Sequence, residues 1–148
     1  MCLAVYLASS NVLPPIAWDQ DAPAFYLEPV PEGGEVHQQF SLPYVYYAGS
    51  HEGCGCGFSR SGETGEEIER HQANYAALAR VLRATLSGGA KAELFTCWEG
   101  DQGTQPEISE SVTPDELESS SFQLKELQFL RVVEDGAERV AGESPFER

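Results

Sequence analysis

From its second residue the chain alternates. In CLAVYLAS (residues 2–9), Leu3, Val5 and Leu7 share one side while Cys2, Ala4 and Tyr6 share the other. That period of two predicts a strand. NVLPPIAWDQDAP (11–23) is punctuated by prolines and reads as a loop lying across the core edge through Ile16 and Trp18. AFYLEPV (24–30) predicts a second strand, at a sheet edge because Pro29 has no N–H for the ladder. PEGGEV (31–36) turns the chain, and HQQF (37–40) is too short to assign. PYVYYAG (43–49) is apolar on both faces, as expected of a central strand.

The period then changes. Ile68, His71, Tyr75, Leu78, Leu82 and Leu86 recur every three or four residues, which predicts a helix with one buried stripe. Thr64 and Glu67 have the spacing of a capping box at its start, and SGG (87–89) supplies the stop. AKAELFTCWEG (90–100) predicts another strand. TPDELESS (113–120) predicts a short helix with Thr113 as cap, Pro114 in first position and Glu116 closing a box. KELQFLRVVED (125–135) predicts the last strand, and the polar residues 137–148 read as a frayed tail. The pattern is that of one α+β domain spanning 1–148. It has a mainly antiparallel or mixed sheet of about five strands, one long helix packed on one face, and a short second helix.

Composition narrows the partners. Twenty-four acidic against nine basic residues give a formal net charge of −15. Such a surface repels nucleic acid and anionic lipid, so neither is expected, whereas a basic protein partner fits. No run approaches the roughly 18 apolar residues of a membrane helix, and the opening residues lack the basic region of an export signal. A cytoplasmic location follows as the expectation. Cys2, Cys54, Cys56 and Cys97 are then expected as thiols or metal ligands and not as disulfides.

The segment SHEGCGCGF (50–58) holds the candidate chemistry. Nucleotide binding is not expected there. GFSRSGET (57–64) has a phosphate-loop spacing but carries Glu63 where a lysine belongs, and Arg60 stands where a dinucleotide fold needs its third glycine. His51, Cys54 and Cys56 offer an imidazole and two thiolates, a zinc-type ligand set. Cys97 is the expected fourth ligand, with His71 competing. The single glycine between Cys54 and Cys56 is shorter than the usual two to four residues, so the chain must bend for both sulfurs to converge.

Other readings compete. The cysteines can be buried filler, with Gly53, Gly55 and Gly57 allowing backbone to approach backbone, in a non-catalytic interaction module. A redox pair or thiol enzyme would need a cation beside the sulfur, for which Arg60 and His51 are the nearest candidates. Cys2 directly after Met1 resembles, in that one respect, the N-terminal nucleophile of glutamine-dependent amidotransferases. That resemblance covers only a few residues, and 148 residues is short for their four-layer fold. Cys2 is therefore assigned to the second face of the first strand, and the reading leans away from an enzyme.

Overall fold

The computed structural model describes residues 2–60 and 64–136. The tail expected at 137–148 lies outside them, as do residues 61–63 of the glycine-rich run. Six strands form one sheet: β1 (Leu3–Ser9), β2 (Tyr26–Pro29), β3 (Tyr44–Gly49), β4 (Ala92–Trp98), β5 (Ile108–Val112) and β6 (Gln128–Val132). Their order is β2-β3-β1-β4-β6-β5, antiparallel throughout except for the parallel pair β5 and β6. The mixed sheet, the long helix and the short one agree with the expected class, and the strand count is one higher. β5 escaped the sequence reading because ISESV is short and polar and lies at an edge, half-exposed.

β1 and β3 sit inside the sheet and β2 at its edge, where Pro29 costs no ladder bond on the open side. The alternation in β1 sorts its residues between two cores. Val5 and Leu7 join Leu27, Tyr46, Leu94 and Leu130 beneath the long helix. Ala4, Tyr6 and Ala8 face the opposite side with Val45, Phe95 and Cys97, and Val36 from a 3-10 helix (Glu35–Gln39) closes over them. The whole of β1 is therefore buried.

The long helix α1 runs from Glu66 to Ser87 and buries His71, Asn74, Tyr75, Leu78, Ala79, Leu82 and Thr85. Its expected stripe is corrected at one end, because Ile68 is 47% exposed in the first turn. The expected capping box at Thr64 is corrected as well. Gly65, at φ +53°, takes the cap position with no side-chain cap bond, which leaves Thr64 one residue outside. Glu66, Glu67 and Glu69 in the first turn suit the positive end of the helix dipole. At the other end the Gly89 N–H donates to Leu86 and the Ala90 N–H to Thr85, a Schellman stop with Gly89 at φ +86°. The short helix α2 (Pro114–Glu118) carries the capping box expected of Thr113 and Glu116. Arg83 of α1 donates to Asp115, Glu118 and Asp135, tying α1 to α2 and to the chain after β6. No helix among the described residues is long and apolar enough to cross a membrane.

Tyr75 anchors the segment that carries the cysteines. It is fully buried, its hydroxyl donates to the Phe58 carbonyl and accepts from the Leu124 N–H at 3.0 Å, and the Arg60 guanidinium lies 4.4 Å over its ring. Tyr75→Phe strips one hydroxyl from two backbone groups that water does not reach. The expected loss is about 2 kcal/mol, read as a lower urea midpoint at unchanged m-value. A change below about 0.5 kcal/mol would show that those two bonds contribute nothing.

Candidate metal centre

The segment after β3 is not extended. Ser50 N–H and Gly53 N–H close a turn across residues 50–54, and a 3-10 helix (Gly55–Phe58) follows at once. One buried hydroxyl joins the two. Ser50 Oγ donates to the Cys54 carbonyl at 2.6 Å and accepts from the Gly57 N–H at 3.0 Å and the Glu52 N–H at 3.2 Å. Asn74 of α1 donates to the Gly57 carbonyl at 3.1 Å. The glycines earn their place by close approach. A Cβ on Gly57 would stand 2.3 Å from Ser50 Oγ, and one on Gly55 would stand 2.4 Å from the Leu3 carbonyl oxygen of β1. The segment is thus pressed between α1 and the start of the central strand.

That contact brings three sulfurs together. The antiparallel register that sets Val5 opposite Ala48 carries the start of β1 to the turn after β3. Cys2 is held there by its carbonyl, which accepts from the Glu99 N–H at 2.8 Å. Cys56 Sγ accepts from the Leu3 N–H at 3.4 Å, and Cys54 Sγ from the Cys56 N–H at 3.5 Å. The sulfurs of Cys2, Cys54 and Cys56 all lie within 4.8 Å of one another, close enough to hold a metal ion. Three thiolates around a tetrahedral zinc at about 2.3 Å stand about 3.8 Å apart, so each pair needs to close by no more than about 1 Å. Cys54 and Cys56 are half-buried and Cys2 is exposed.

No protein-family model, curated protein or solved structure matches this chain.

Of the ligands expected from sequence, Cys54 and Cys56 converge. The third member of the group is Cys2; neither His51 nor Cys97 belongs to it among the described residues. Cys97 is fully buried in the second core, opposite Ala4 in the ladder, and burial pushes its thiol up to about 12. His51 turns toward α1, where its Nδ1 meets Asn74 Nδ2 at 2.9 Å and its ring lies 5.8 Å from that of His71. Burial lowers the His51 pKa, partly opposed by Glu52. Alternation alone puts Cys2 on one face of the first strand. Only the β1–β3 register shows which segment lies beyond that strand's start.

At Cys54 the surroundings favour the neutral thiol over the thiolate. Burial pushes the Cys54 thiol up to about 12, a backbone bond from Cys56 opposes the rise, and the neighbouring thiols add to it. The cation that a reactive thiolate requires is engaged elsewhere. Arg60 donates to the Phe122 carbonyl at 2.6 Å and to Gln72 Oε1 at 2.8 Å, besides stacking on Tyr75. A neutral thiol is a poor nucleophile, whereas a bound metal ion supplies the positive charge that draws the proton off.

Proposed function

We propose that the protein is a metal-binding module in which Cys2, Cys54 and Cys56 hold one thiophilic cation, zinc-type, as thiolates. The supporting observation is the convergence of three sulfurs from two distant chain segments, fixed by Gly55 lying directly against the backbone of β1. Three thiolates favour zinc or copper(I) over magnesium or calcium, which take oxygen ligands. With three protein ligands, one of them exposed, the ion keeps one side open. Such a site suits uptake and release of the ion better than a closed four-ligand structural centre does.

Elemental analysis of protein purified without chelators, followed by titration against a chromophoric chelator, tests this reading. One equivalent of zinc is expected. Cys2→Ser, Cys54→Ser and Cys56→Ser should each weaken it by about 10- to 100-fold or more, while Cys97→Ala and His51→Ala stay loaded. Sub-stoichiometric metal in the purified protein, with titration showing no binding that depends on the three cysteines, would remove the proposal.

A further inference from the structure

Away from the three sulfurs, the loop that precedes β2 stands off from α1 and leaves a cleft of about 980 Å³. Its volume is at the upper end of the range for small-molecule sites. The reason for the opening is local. Alanines and a proline (Ala22, Pro23 and Ala24) form the loop wall, and Ala73 and Ala77 form the facing helix wall. Side chains this short cannot meet across the gap. Ile16, Phe25 and Val81 add to the apolar part of the lining, and His51, Arg70, Asn74 and Arg80 are its polar members.

Charge at the cleft runs against the rest of the molecule. The chain has 24 acidic and nine basic residues, yet two arginines and no acidic residue line the cleft. Arg70 is 3.7 Å from Glu66 in an exposed pair. Arg80, exposed at the far end, has no ion-pair or hydrogen-bond partner among the described residues. An apolar trough with an unpaired guanidinium at one end is complementary to a molecule with an apolar body and a single anionic head. From Arg80 back to Ala73 the helix rises about 10 Å, room for a medium-length chain.

We propose that this cleft binds a medium-chain carboxylate, with its head at Arg80 and its apolar body along Ala77 and Ala73 toward His51. The cleft and the thiol cluster share no residue, so Cys54→Ser protein is expected to retain decanoate binding.

Calorimetric titration with decanoate below its micelle concentration, beside decanol and decylammonium, tests the assignment. Decanoate is expected to bind one site with Kd below about 1 mM, at least tenfold tighter than decylammonium. Arg80→Glu should weaken decanoate about tenfold, and Ala73→Trp, which fills the trough from an exposed helix position, should abolish binding. Arg80 and Ala73 are both exposed, and the far-ultraviolet circular dichroism of each variant checks that the fold is kept. Three results would overturn the proposal: no saturable decanoate binding, equal binding of decylammonium, or decanoate binding that survives Ala73→Trp. Sedimentation that shows a dimer dissociated by Ala73→Trp would overturn it too, by making the cleft a contact between copies of the chain.

Discussion

Gly55→Ala is expected to destabilise the protein by about 3 kcal/mol and to abolish stoichiometric metal uptake. The added methyl would meet the Leu3 carbonyl oxygen at 2.4 Å, the Leu3 carbonyl carbon at 3.0 Å and the Val5 nitrogen at 3.2 Å. All three are main-chain atoms of β1. That strand is hydrogen-bonded to β3 on one side and β4 on the other, so it cannot retreat as a flexible side chain would. The 3-10 turn must move instead, and it carries Cys54 and Cys56 away from Cys2. Gly34→Ala is the matched control. Its Cβ would meet nothing nearer than 3.7 Å and its φ of −69° suits any residue, so a change within about 0.5 kcal/mol is expected. Urea unfolding and zinc titration of both variants check the pair. A Gly55→Ala protein as stable as Gly34→Ala would mean that the turn does not lie against β1.

The second large effect is the dependence of metal affinity on pH. Cys54 is pushed up to about 12 by burial, so it enters the metal site as a thiol and must lose its proton on binding. Each unit rise in pH lowers the concentration of the displaced proton tenfold, so the apparent affinity rises by at least about tenfold per unit. From pH 6.5 to 8.5 the gain should reach at least about 100-fold, continuing upward until the thiol itself ionises near 12. Chelator competition at a series of pH values, corrected for the chelator's own protonation, gives the slope. In Cys54→Ser the slope should fall by one proton. A flat profile for the unmodified chain would exclude Cys54 as a ligand.

The local and the distant divide cleanly when particular residues are followed. Thr113 and Glu116 form their box, with Pro114 in first position, because a cap is made by residues three apart and needs no other segment. Pro29 marked an edge because its missing N–H is a property of one residue. Thr64 misled, since Gly65 beside it was free to take the positive φ that begins the helix. Ile68 fitted the period of α1 and is exposed, because the stripe is buried only where something lies beneath it. ISESV became a strand through the backbone of β6 alongside it and not through any apolar pattern of its own.

The sulfurs follow the same rule. The amino-acid sequence by itself placed two thiols in a segment whose three alternate glycines permit a bend, and the turn itself is closed by the Ser50 hydroxyl and pressed on β1 through Gly55. It also determined two faces for β1, because side-chain direction along a strand is set by the chain's own geometry. Which third group completes the cluster was decided only by the tertiary structure. Strand register is a relation between segments some forty residues apart, fixed by the joint burial of both faces, and no local spacing encodes it. Through that register Cys2 meets Cys54 and Cys56, while Cys97 is turned into the far core and His51 toward the helix.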